Sequence, residues 1–474
     1  MKSVILLAVS FFLLGVLKDM SWAQYDYIEV LPPGWISAEA HDINDNGTVV
    51  GSGRDSDNRL KGFTYKNGLY KTLLPNGWKE SYAHGVNNKG AIVGHGLHTV
   101  FKGFLYSGGF FTEIYPAGWH EAYAYSINDK GDVVGYGREK RFYKGFLFKG
   151  GAYIDIIPPD WREAFAYDIN NRGTVIGYGV AGDDHYKGFI YINGEYTEII
   201  PPGWQNVKAV AINDKGDIVG YGMDSNNENK SFIYKKGTYE ELLTTDWQTF
   251  EAYGVNSRGA VTGKISYGSD GMKGFFYNGT SYTTLLPSGW IWSQANAVND
   301  KGDVVGFGSR GSDKTGFLAR GTPDIAVDPT IIFFGGNINS GVMEDKSATI
   351  INKGAGNLVM GTITEPSLPF SIVSDNCSGQ TLAPLTTCII IYRALPLSAI
   401  TVVSNSNIPS NDPDKGVVKL ILGIFPDNDS DGYTLDIDCD DNDPSVNPGT
   451  TEILNNKKDD DCDHATKDNA KDVR

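Results

Sequence analysis

Cysteine is scarce in this chain, with four residues in 474, so a disulfide-dense scaffold is excluded. Long apolar runs are missing after the first seventeen residues, and no later stretch reads as a bilayer span. Basic residues are outnumbered, 41 Lys and Arg against 57 Asp and Glu, for a formal net charge of -16. Much of that excess sits in the aspartate-crowded C-terminal segment. Such a chain repels nucleic acid and anionic lipid and attracts divalent cations. Familiar catalytic signatures are also lacking: there is no G-x-S-x-G elbow, no H-E-x-x-H and no phosphate loop.

What is abundant is glycine, 58 residues, with aromatics at 12%. That mix points to an all-β protein with many tight turns. Residues 1–23 read as a signal peptide. Lys2 precedes an apolar run from Val4 to Leu17, which Lys18 and Asp19 close, and Ser21-Trp22-Ala23 supplies small residues for cleavage before Gln24. The expectation is a secreted or cell-surface protein, extracellular or periplasmic, with no membrane span after cleavage and in a setting that permits disulfides.

A repeat decides the fold. Trp35, Trp78, Trp119, Trp161, Trp204, Trp247 and Trp290 recur every 41 to 43 residues. Nine residues after each stands an asparagine, from Asn44 to Asn299. Three further on is a glycine, and four beyond that a second glycine. In the third unit the strand-like pieces are Phe111–Tyr115, Ala122–Asn128, Asp132–Gly137 and Lys144–Phe148. Asp129-Lys130-Gly131 is a short hairpin loop whose glycine supplies a positive φ. Ala124 and its equivalents are small enough for a strand near a crowded axis. Four strands per unit, repeated, predict a seven-bladed β-propeller over 24–322. The chain opens with one strand, Tyr27–Pro32, and the seventh unit ends one strand short, so the first strand is expected to close the ring.

These units resemble the HAF-type extracellular repeat in their G-F-x-Y, A-x-x-I-N-x-x-G and V-V-G elements. The resemblance implies a secreted bacterial protein with a propeller-like fold and no settled activity. Two units depart from it: Ser231 replaces a glycine, and Thr245-Asp246-Trp247 replaces Pro-x-Gly-Trp.

Residues 323–425 break the period and alternate strand-like pieces with turns, which predicts an Ig-like β-sandwich. Cys377 and Cys388 flank a short stretch and are expected to form a disulfide. Ile332-Phe333-Phe334-Gly335, Ile351-Asn352-Lys353-Gly354 and the segment from Asn376 to Cys388 resemble ASH-like Ig domains of bacterial surface proteins, which implies a spacer or adhesion role.

Residues 426–474 form an aspartate-rich tail. Asp427, Asp429 and Asp431 alternate in a tight loop, and the carbonyl of Tyr433 and the carboxylate of Asp438 extend the set. Hard Ca²⁺ takes six to eight oxygens, and such a loop can supply them. The flanks lack the helices of an EF-hand. The motif runs on through Cys439, Asp440, Asp441, Asp443, Glu452, Asp459, Asp461, Cys462 and Asp463, and this closely resembles the MopE-type metal-binding motif. That resemblance implies a Cys439–Cys462 pair and ligands among Asp427, Asp429, Asp431, Tyr433, Asp438, Asp440, Asp441, Asp443, Asp459, Asp461 and Asp463. Ca²⁺ is the expected ion, and its binding is expected to order the tail.

The seven tryptophans have two readings: plugs that pack each loop, or stacking platforms for sugar rings or an aromatic peptide. His41 and His84 stand where sister units hold Tyr125, Tyr167 and Tyr253, and read as members of an aromatic ring. An enzyme would need groups that break the repeat on one face, whereas the inner-strand positions read as Ala, Tyr and Asn in nearly every copy. The expectation is therefore a non-enzymatic binding, adhesion or scaffold protein, its partner a carbohydrate or another extracellular protein. A propeller enzyme acting on glycans is the alternative.

Overall fold

The computed structural model describes residues 25–463, except 243–248, 267–270, 337–342, 396–401, 427–428, 430–432, 434–437, 441, 455 and 457. The expected signal peptide and Trp247 thus lie outside the described residues. All the regular structure is β, and seven four-stranded antiparallel sheets follow one another along the chain. The first six run in sequence order. The first contains Ser37–Ile43, Val49–Arg54, Leu60–Lys66 and Leu69–Leu73.

The sheets are cut one strand later than the repeat. In the third unit the strand Phe110–Ile114 belongs to the preceding sheet, and Glu121–Ile127 opens the next. The seventh sheet borrows its fourth strand from the N-terminus: Tyr25–Val30 pairs with Thr315–Gly321, from Tyr25 opposite Gly321 to Val30 opposite Gly316. The expected closure by the first strand is present.

Why these residues make strands is visible in the third sheet. Val133 and Val134 are fully buried, packed in neighbouring cores on the two faces of one sheet, as a strand covered on both sides requires. Gly131 turns the preceding hairpin with φ of 87°, a region that a Cβ disfavours. Ala124 is fully buried, but its small size answers to the neighbouring sheet, not to the axis. A Cβ added to Gly103 of the preceding sheet would stand 3.2 Å from that of Ala124.

A ring of side chains joins the sheets. Asn44 Nδ2 donates to the carbonyl of Asn87 at 2.8 Å, Asn87 to Asn128 at 2.9 Å, and Asn128 to Asn170 at 3.2 Å. Asn170 continues to Asn213, Asn213 to Asn256, and Asn256 to Asn299. Asn299 returns to the carbonyl of Asn44 at 3.2 Å, across 255 positions of sequence. The repeating asparagine is thus a closed belt, and each Oδ1 also caps its own turn, as Asn128 does for the amides of Lys130 and Asp132.

The next module has a four-stranded sheet (Ile325–Asp328, Glu344–Asn352, Thr387–Ala394, Phe370–Asp375) and a three-stranded one (Ile331–Gly336, Val417–Pro426, Val402–Pro409). Both contribute to one core that includes Ile350, Phe370, Tyr392 and Leu422. Cys377 and Cys388 are disulfide-bonded beside it. Gly356 N donates to Thr322 O at 3.0 Å where this module meets the last sheet.

Candidate functional site

The first strand of every propeller-type sheet carries a β-bulge at the same place, between Ala40 and Asp42 in the first sheet and Ala166 and Asp168 in the fourth. A bulge sets two residues against one on the partner strand and re-aims a side chain. Two consecutive side chains per strand, such as His41 with Asp42, therefore face the axis. Strict alternation would have sent one of them into the sheet interface.

The result is a central cavity of about 490 Å³, within the range of small-ligand pockets. His41, His84, Tyr125, Tyr167, Val210, Tyr253 and Asn296 occupy the seven bulge positions around it. Neighbouring rings meet around the channel: His41 stacks on His84 at 5.4 Å and His84 on Tyr125 at 4.5 Å, while Tyr167 meets Tyr125 at a tilt, 5.0 Å away. Their faces are taken by neighbours, so the polar edges are what line the space. Below, Ile43, Val86, Ile127, Ile169, Ile212, Val255 and Val298 separate this cavity from a smaller one of about 180 Å³ at the asparagine belt.

Two carboxylates break the repeat. The residue before each collar aliphatic is Asp42, Gly85, Ser126, Asp168, Ala211, Gly254 or Ala297. Asp42 accepts from Ile43 N at 2.8 Å and, across the sheet boundary, from Val86 N at 2.9 Å. Asp168 accepts from Ile169 N and Ile212 N, each at 2.8 Å, and from Ser126 Oγ at 2.5 Å. Burial pushes Asp42 up to about 7, against its backbone hydrogen bonds, and raises Asp168 in the same way. Burial also holds His84 well below its ordinary value and brings His95 down to about 3. The pair, in contact at 2.8 Å through Nε2 and Nδ1, is neutral at physiological pH. The sequence did show this signal: one inner-strand column varies where its neighbours repeat. It passes unnoticed because the bulge that turns the column toward the axis leaves no mark of its own.

Six of the seven repeating tryptophans are described, and they pack at the sheet edges. Trp78, Trp119, Trp204 and Trp290 are 5–9% exposed. Trp35, Trp78, Trp119, Trp161, Trp204 and Trp290 each meet a phenylalanine of their own sheet edge-on at 5.8–6.1 Å. The contacts fit the packing reading, and Trp35 and Trp161 are half-buried. In the sixth sheet Phe250 stacks on Phe275 at 4.5 Å, and Ile265 stands at the position where Gly96, Gly137, Gly179 and Gly308 lie against the tryptophan ring of their own sheets.

In the tail, Asp427, Asp431 and Asp441 lie outside the described residues. Cys439 and Cys462 form a disulfide. Glu452, Asp459 and Asp461 bring carboxylate oxygens within 4.8 Å of one another. Glu452, left out of the expected ligand set, has one oxygen accepting from Asp460 N at 2.9 Å and the other, Oε1, buried without a hydrogen-bond partner. An all-oxygen trio with a buried, unfilled acceptor fits a hard divalent cation. The other expected positions are dispersed. Asp443 pairs with Lys458, which holds it down to about 2. Asp438 accepts from Asp440 N at 2.8 Å. Asp440 and Asp463 are exposed, and Asp429 and Tyr433 are half-buried. The Tyr433 ring lies against Gly449, where a Cβ would come within 2.1 Å of its hydroxyl.

A family model described as a protein of unknown function (DUF3466) matches residues 148–339, and a MopE-type metal-binding motif matches residues 438–468. No curated protein matches the chain. Among solved structures, the β-propeller domain of the Trilobed protease from Pyrococcus furiosus is 12% identical, with 60% of this chain and 94% of that chain covered and a TM-score of 0.45. The Aleuria aurantia lectin AAL is 10% identical over 55% of this chain and 100% of that one, at 0.31. TolB from Acinetobacter baumannii is 13% identical over 58% and 64%, at 0.38. The propeller-like, all-β architecture rests on this chain's own strand pairing, not on these likenesses.

Proposed function

We propose that the chain is a secreted, non-enzymatic binding or scaffold protein, a closed seven-bladed β-propeller that holds the end of an extracellular ligand in its central cavity. The observation that carries this reading is the cavity of about 490 Å³, built by one bulge per sheet and floored by the aliphatic collar. Its lining of hydroxyl, carboxamide, imidazole and carboxylate edges suits a polar ligand such as a carbohydrate. On this reading residues 323–425 are an Ig-like spacer. The tail is a Ca²⁺-stabilised module, with Glu452, Asp459 and Asp461 holding the ion.

The test is a glycan array run with the mature chain and with Val210→Trp. Val210 sits at the gap in the aromatic collar, where five of the other six strands hold a histidine or tyrosine that lines the cavity. A bulky ring there narrows the cavity. Retention by the native chain and its loss in the variant are expected; equal retention by both places the ligand elsewhere. Asp42 and Asp168, two channel carboxylates in unlike settings, favour a second reading as a glycan hydrolase or lyase. Release of shortened oligosaccharide would establish it.

A further inference from the structure

We propose that the central cavity selects a saccharide carrying a free, non-acylated amine, whose ammonium group pairs with Asp42 or with Asp168 according to how the ligand lies across the cavity. This rests on the channel reading above and names the ligand's chemistry.

The argument is a charge inventory from the mouth inward. Lys314 is paired with Glu39 at 2.8 Å, and Lys264 with Glu251 at 3.2 Å. Lys208 lies over the rings of Tyr178, Tyr186 and Tyr221 at 5.2–5.8 Å. The cations of the rim are therefore matched where they stand. Deeper in, Asp42 and Asp168 line the cavity with no ion-pair partner among the described residues. Their hydrogen bonds come from backbone amides and one serine, which leave the negative charge uncompensated. Desolvating a carboxylate beside no countercharge is costly, and five sister strands avoid it with Gly, Ala or Ser. A cationic ligand supplies the missing charge.

Position decides between an ion and an organic cation. Asp42 and Asp168 stand in the first and fourth of seven sheets, near the largest separation the ring allows. Among the described residues they belong to no cluster able to hold one metal ion. A ligand that spans the channel can reach either wall. Neutral groups await the rest of it: Gln294 and Asn296 line the cavity, and the Tyr167 hydroxyl opens on it with no hydrogen bond within the described chain. These suit sugar hydroxyls, and the carboxylates suit an ammonium group through charge-assisted hydrogen bonds.

Isothermal titration of the mature chain near neutral pH, with glucosamine, glucose and N-acetylglucosamine as probes, tests this. Glucosamine is expected to bind about tenfold tighter than either neutral sugar. Asp42→Ser and Asp168→Ser, which install the residue of the third strand, are expected when combined to lower glucosamine affinity about fivefold or more and to lower glucose affinity less. A thermal melt of each variant confirms folding. Equal affinity for all three sugars, no binding of any, or glucosamine binding that survives both substitutions overturns the proposal. If the three bind alike and Val210→Trp abolishes them together, the channel reading stands and the amine preference falls. If Val210→Trp leaves glucosamine binding intact, the channel reading itself fails.

Discussion

Gly135 shows how little room the repeat leaves at a single residue. A Cβ built on it would lie 2.0 Å from the Tyr123 carbonyl oxygen and 2.8 Å from the Phe146 ring. Both neighbours are fixed by pairing and packing, so Gly135→Ala is expected to cost about 3 kcal/mol or more, read as a lowered denaturation midpoint by urea titration. Asn128 carries a different load: its amide feeds the belt, and its carbonyl oxygen caps the amides of Lys130 and Asp132. Asn128→Ala strands these buried groups, and roughly 2–4 kcal/mol of destabilisation is expected in the same assay. Asp42 gives a pH signature. Its carboxyl is raised by burial to about 7 in the folded chain, against roughly 3.9 when unfolded. The favourable contribution is complete below the unfolded value and is lost as pH rises through about 7. Asp42→Asn removes that loss. Thermal melts across pH are expected to show the variant gaining on the native chain between acid and mildly alkaline conditions, by about 2 kcal/mol once the open cavity's screening is allowed for. A difference that stays flat with pH would count against the buried-carboxylate assignment.

At the scale of the element, the closing strand is the sharpest case. Removing residues 24–30 strips Tyr25–Val30 from Thr315–Gly321 and bares a strand edge. Such edges pair with other chains, so light scattering is expected to find oligomers or aggregates where the intact chain is dispersed. This element was legible in the sequence because a count alone reveals it: one strand extra at the start, one missing at the end. The third-sheet strands were legible to within one or two residues, since the apolar pattern and Gly131 bracket them. The channel was not. Tyr125 and Ser126 both face the axis only because the strand bulges between Ala124 and Ser126, and period-two reasoning sends one of every two neighbours inward. For the same reason nothing in the sequence marks Asp42 and Asp168 as cavity residues, while Glu452 is hidden by a tail in which carboxylates are commonplace.

Across the whole molecule the modules differ in what holds them. The sheets share apolar cores and the asparagine belt. The tail has one disulfide and a carboxylate trio within 4.8 Å, whose mutual repulsion a cation would relieve. Limited proteolysis with and without a chelator is expected to expose cleavage sites after residue 426 while residues 25–425 resist equally in both; tail cleavage indifferent to Ca²⁺ would rule out the ion's ordering role. The borrowed strand also governs how the molecule bears load. The chain enters the last sheet at Tyr25 and leaves it at Gly321, and these two residues face each other at one end of the pairing. Tension between an anchored N-terminus and a tethered second module therefore enters and leaves at that point. It peels six residue pairs apart in succession, like a zip, and bypasses the belt and the other six sheets. The ring has a mechanical weak seam at its junction with the neighbouring module, and the central cavity stays unstressed until that seam has opened.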